Sequence, residues 1–106
     1  MSDFNRLSLD ACLLEKAHIR KNLTGVPVVE VLLQHASDQT ENGGARQTQF
    51  EISAVAMGDV ALVLEDCTVG AYYRVQGFLN RKSLKSVKLR LHITHIVPVS
   101  LTDSSL

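Results

Sequence analysis

Residues Ala71 to Val99 read AYYRVQGFLNRKSLKSVKLRLHITHIVPV, two runs of alternating residues separated by a basic turn. Strict alternation of apolar and polar side chains is the signature of a strand with one buried face. In the second run Val87, Leu89, Leu91, Ile93, His95 and Val97 point one way, and Lys88, Arg90, His92, Thr94 and Ile96 the other. The spacing predicts a strand over 86–99. In the first run Val75, Gly77 and Leu79 share a face, which predicts a strand over 71–80. Glycine inside a strand marks a bulge or sharp bend, so Gly77 is where this strand should kink. Phe78 has the opposite parity and points outward. Of Tyr72 and Tyr73, one belongs to the core.

The same period continues upstream. Leu7, Leu9, Ala11 and Leu13 alternate with Ser8, Asp10 and Cys12, which predicts a long first strand over 5–16. Thr24-Gly25 and Pro27 signal a turn. A β-branched run with Val29, Val31, Leu33 and His35 on one face predicts a second strand over 26–37. DQTENGG, 38–44, reads as a flexible loop or hairpin tip around Asn42-Gly43. A third strand starts near Arg46, with Thr48, Phe50, Ile52 and Ala54 inward and Gln47, Gln49, Glu51 and Ser53 outward. Alternation thus places Phe50 in the core. Gly58-Asp59 then suits a short helix with Asp59 as N-cap and Val60, Val63 and Leu64 inward. VALVL also suits a strand by composition. Three strands, one helix or helical turn, then two strands is the order of an all-β, five-stranded Greek-key OB-fold barrel with that helix between strands three and four. An SH3-like barrel has shorter strands. The long first strand and Gly77 provide the bends a small barrel needs to close.

The length of 106 residues fits a single domain, 1–106, with an ordered core of about 5–99 and a flexible tail at 102–106. No run reaches the ~18 apolar residues of a membrane span. The N-terminus lacks an apolar signal core, so a cytoplasmic protein is expected. Cys12 and Cys67 are far from a CxxC spacing and read as reduced, buried thiols. The chain has 11 Lys+Arg and 11 Asp+Glu, for a net charge of zero. The charges are separated, however. From Cys67 to Thr102 there is no acid, and this segment holds Arg74, Arg81, Lys82, Lys85, Lys88 and Arg90. A polyanion responds to such a local field rather than to the net charge.

The order of several short features resembles one family. They are Asn5-Arg6-Leu7, Cys12, Gly25-Val26-Pro27, Leu33-x-His35, Arg46-Gln47 and TVGAYYRVQGFL over 68–79. Together they resemble the bacterial single-stranded DNA-binding protein superfamily, and within it the short primosomal PriB family, across about Asn5 to Val99. The resemblance implies an OB-fold, a homodimer, binding of single-stranded DNA, and contact with a PriA-type primosomal helicase during replication restart. It implies no small-molecule substrate and no membrane.

The candidate DNA-binding residues are cationic with one exception. Arg20 and Lys21 are placed on the loop between strands one and two. Arg81, Lys82 and Lys85 are placed on the loop between strands four and five, and Lys88 and Arg90 on the outward face of strand five. In OB-folds these loops flank the binding face. Arg46, before strand three, and Gln49, on its outward face, complete the set by resemblance to PriB proteins. Relatives carry aromatics where this chain has Gly44 and Gln49, and the basic loop reads as short. Binding by charge rather than stacking, with modest affinity, is therefore expected. No catalytic residue, metal site or cofactor is expected. His92 and His95 are three apart and should face opposite ways on a strand, and no Gly-rich phosphate loop or nucleophile elbow occurs. An RNA-binding OB domain and a protein-interaction OB module with weak DNA affinity are the alternatives.

Overall fold

A computed structural model describes residues 1–100; the tail expectation at 102–106 lies outside these. The elements are β1 (Leu7–Lys16), β2 (Arg20–Lys21), β3 (Pro27–Glu41), β4 (Gly44–Met57), α1 (Asp59–Glu65), β5 (Tyr72–Arg81) and β6 (Leu89–Pro98). The sheet order β1-β5-β6-β4-β3-β2, with a further β1–β3 pairing, closes five strands into a barrel. All neighbours are antiparallel except β4 and β6. This closed mixed barrel with one short helix is the expected OB-fold. Among the described residues, no helix is long and apolar enough to cross a membrane.

β1 serves two neighbours. Leu7–Cys12 pairs with β5 and Cys12–Lys16 with β3, with a register shift between Leu13 and Glu15. That shift lets one strand turn the barrel corner. The core holds much of the alternating set read from the sequence, Ala11, Leu13, Val29, Val31, Leu33, Ala54, Val75, Leu91 and Ile93, joined by Ala56 and Tyr73. Burying a Val or Leu side chain completely contributes about 1.5–3 kcal/mol, so this set dominates stability. Tyr73 keeps its phenol oxygen satisfied by accepting the Thr68 backbone N–H at 2.7 Å.

Several boundaries differ from expectation, each for a local reason. β3 and β4 run to a two-residue turn at Asn42-Gly43, where both φ are positive (51° and 78°). Asn-Gly tolerates this mirror-image turn, so the 38–44 segment is mostly strand rather than loop. In α1 the cap is Gly58 at φ 76°, with no side-chain cap, so Asp59 is not the N-cap and instead sits in the first turn. Ala61 and Leu64 are the buried pair, while Val63 is exposed. The Lys16 ammonium donates to the Glu65 and Cys67 carbonyls, both at 2.6 Å, closing the helix C-terminus.

The Gly77 kink is real and has its counterpart in β6. Gln76 pairs with His95 and Gly77 with Ile93, so Thr94 is an extra residue. A Cβ on Gly77 would collide with the His92 carbonyl oxygen. The extra residue reverses parity beyond Thr94. Ile96 therefore packs against the core and Val97 is exposed, the opposite of the sequence reading. His92 and His95 also fall on one face, beside Phe78 and Gln76, rather than on opposite faces. β6 starts at Leu89, so Val87 lies outside the strand and is exposed. Val28 is only 2% exposed within the single chain. Both cysteines are free; Cys12 is buried and Cys67 half-buried, its thiol pushed up by burial.

Candidate nucleic-acid interface

The basic turn becomes a seven-residue loop, 82–88, longer than the sequence suggested because β6 begins late. Its base is tied: the Lys82 N–H donates to the Lys88 carbonyl at 2.9 Å, and the Arg81 guanidinium donates to the Leu84 carbonyl at 3.1 Å. Arg81 is thus the last residue of β5 and a brace, not a loop residue. Lys82, Lys85 and Lys88 are exposed and make no ion pair among the described residues. Lys88 belongs to this loop rather than to the face of β6.

Beside the loop lies an open cleft of ≈ 500 Å³. Leu7, Ile52, Leu79 and Leu89 give it apolar walls, and Lys82 and Lys88 also line it. Phe50 lines the same cleft and is 38% exposed, so it is not the core residue that alternation implied. Its parity was read correctly. The long β3–β4 hairpin simply carries Phe50 beyond the body of the barrel, where inward means toward the cleft. The His35 ring stands against it at 5.1 Å between centroids. His35 is itself fixed, with Nδ1 2.7 Å from the Asp10 carbonyl and Nε2 2.7 Å from the Ser37 hydroxyl. A carbonyl only accepts, so Nδ1 carries the proton. Asp10 is held in turn by two bonds from Arg74, at 2.7 and 3.0 Å, which keep its carboxyl below the usual range. The phenyl ring therefore stands on a braced support.

The arginines are placed differently. Arg20 and Lys21 form β2, paired with Val28 and Pro27, rather than lying in an open loop. Arg20 lies 3.9 Å and Arg90 3.3 Å from the two carboxylate oxygens of Glu30 on β3. Arg46 lies within β4 and donates to Glu41 at 3.3 Å. Gln49 is exposed on the face of β4 opposite Phe50, beside Asp38 and Gln47. Next to Arg90, His92 stacks on Phe78 with centroids 4.9 Å apart and planes 8° from parallel. Burial, and then the Arg90 charge, push the His92 imidazole below its ordinary pKa. Of the nine residues singled out, the structure places Lys82 and Lys88 at the cleft, with Lys85 on the same loop and Arg81 bracing its base. Arg20 and Arg90 meet at Glu30 on the neighbouring sheet face, Lys21 follows Arg20 with the opposite parity, and Arg46 and Gln49 stand apart on the hairpin. Phe50 and Glu30 were missed. The distance of Phe50 from the hairpin's barrel end, and a lone acid inside the apolar second strand, were the available signals.

The model of another single-strand binding protein family matches residues 5–95. The chain belongs to this single-strand binding protein family. Within the family its similarity is to replication restart proteins. The PriB of Bordetella pertussis is 44% identical over 89 residues, covering 84% of this chain and 83% of that protein. The PriB of Neisseria meningitidis serogroup B is 39% identical, covering 88% and 93%. Among solved structures, PriB from Ralstonia solanacearum superposes with a TM-score of 0.84 at 36% identity, covering 92% of this chain and 99% of that one. The single-stranded DNA binding protein of Thermus aquaticus shares the family fold at a TM-score of 0.73 and 19% identity, covering 94% and 52%.

Proposed function

We propose that this chain binds single-stranded DNA as a replication restart protein of the bacterial cytoplasm, using the free lysines of the 82–88 loop and the Phe50 cleft. The observation that carries this reading is a half-exposed aromatic ring in a cleft that Lys82 and Lys88 also line. Phosphates are attracted by unpaired ammonium groups without regard to sequence. A base stacked on an aromatic ring gains about 1–3 kcal/mol, also without regard to sequence. Lys21, exposed and unpaired among the described residues, extends the basic surface. The names of the relatives support the replication-restart role, and assistance to a PriA-type helicase is the further part of this proposal.

The reading is tested by fluorescence anisotropy of labelled oligo-dT at two salt concentrations, with and without the helicase. Lys82→Ala with Lys85→Ala should weaken all sequences about equally and flatten the salt response. Unchanged binding would move the site elsewhere. Competition with RNA of equal length separates DNA from RNA preference. The ion pairs of Arg20, Arg46 and Arg90 favour a second reading, a protein-interaction module with weak DNA affinity. Its mark is tight helicase binding with negligible DNA binding.

A homodimer belongs to the same proposal. Among the described residues, the N-terminal half of β1 pairs with β5 alone, leaving one strand edge without a neighbour. Such an edge is a template for another strand. A monomer mass by light scattering at micromolar concentration would refute it.

A further inference from the structure

Among the described residues, Glu30 is the one acid that ties two of the candidate phosphate ligands together. Its Oε1 accepts from Arg90 Nη1 at 3.3 Å, and its Oε2 lies 3.9 Å from Arg20 Nη2. The two arginines come from different elements, β2 and β6, and meet over the outer face of β3 and β4. The Arg90 side chain is only 20% exposed, and its Nε is buried with no hydrogen-bond partner. Glu30 and Arg20, by contrast, are about half exposed, at 49% and 57%. The Arg90 guanidinium is therefore positioned, while the Arg20 guanidinium and the carboxylate between the two are open to solvent, and that carboxylate is held by one long and one moderate contact.

A phosphodiester presents the same pattern as a carboxylate: one negative charge spread over two oxygens a short distance apart. Half-exposed ion pairs such as that of Arg20 with Glu30 contribute little, so the carboxylate there exchanges readily for another anion. From this we infer that Glu30 is an internal competitor for the phosphodiester backbone. It occupies Arg20 and Arg90 in the free chain, and single-stranded nucleic acid engages them only by displacing it. This inference rests on the DNA-binding reading above and adds a brake to that site. It explains why a chain of zero net charge binds through its lysine loop first. The sheet-face arginines are available only to a strand already held nearby, at high local concentration.

The brake is tested with Glu30→Gln and Arg20→Ala, each in the full chain, with Lys82→Ala/Lys85→Ala as reference and thermal melting as a check on folding. Glu30→Gln should bind oligo-dT about threefold to tenfold more tightly at low salt and steepen the logarithmic salt slope by up to about 1.4, two further phosphates at 0.7 each. Arg20→Ala alone should change affinity less than about twofold, because Glu30 already neutralises that charge. Added to Glu30→Gln, it should remove at least half of the gain. Equal or weaker binding by Glu30→Gln overturns the inference, provided the lysine variant still weakens binding. If Glu30→Gln fails to fold, Arg20→Ala decides alone: a loss as large as that of one lysine overturns it. A lysine variant that binds like the parent overturns the DNA-binding reading itself.

Discussion

The two halves of the basic surface are built from the same kind of charge but are not equivalent. The 82–88 loop holds Lys82, Lys85 and Lys88 with no ion pair among the described residues, although Glu51 lines the same cleft as Lys82 and Lys88. The sheet face holds Arg20 and Arg90 with Glu30 between them. A free ammonium in water costs little to bring to a phosphate. A paired guanidinium first has to give up its carboxylate. Counting cations along the chain therefore overstates how many are unpaired, because the arrangement of the acids decides which cations are free to meet a phosphate in the proposed site.

Removing the free half should produce the largest effect. Lys82→Ala, Lys85→Ala and Lys88→Ala together should abolish most of the affinity for oligo-dT and lower the logarithmic salt slope by about 2, three phosphates at 0.7 each. A retained slope, measured by anisotropy across a salt series, would place the phosphate contacts on the arginines instead. Phe50→Ala comes next, weakening binding by about 1–3 kcal/mol while leaving the salt slope unchanged, because stacking releases no counterion. A changed slope would mean that the cleft had collapsed and moved the lysines. Arg46→Ala should matter less, within about twofold, since Glu41 already pairs it at the hairpin tip.

The smallest effect is on stability and belongs to the arginine half. His92 is depressed by burial and by Arg90, so the unfolded chain takes up a proton at higher pH than the folded one. Stability is fully present above the ordinary histidine value of about 6.5 and is lost as pH falls below it. Thermal melting from pH 7.5 downward should show this loss in the parent chain and less of it in His92→Phe, which keeps the stack on Phe78. An identical pH profile in the two chains would assign the loss to other groups.

Most of the barrel was legible because alternation is a local property. Leu13, Val31, Leu33, Val75 and Leu91 all lie where period two puts them. The errors cluster at two places where a single residue changes the count or the surroundings. Thr94 is an extra residue that reverses the rest of β6, so Ile96 and Val97 exchange roles. Asn42-Gly43 permits a two-residue turn, which extends the hairpin and carries Phe50 out of the core. The lysine loop was visible as a run of charge, but its length was not, since that depends on where β6 starts to pair.

Residue order alone thus determined the strand faces, the OB topology and the basic loop, because these follow from spacing within one segment. Only the tertiary structure decided which charges are free and where the aromatic ring stands. Glu30 meets Arg90 across 60 residues of chain, and Phe50 shares its cleft with Lys82 and Lys88 across a helix and a strand. Such distances are set by barrel closure, which brings remote side chains together and leaves no periodic mark in the sequence.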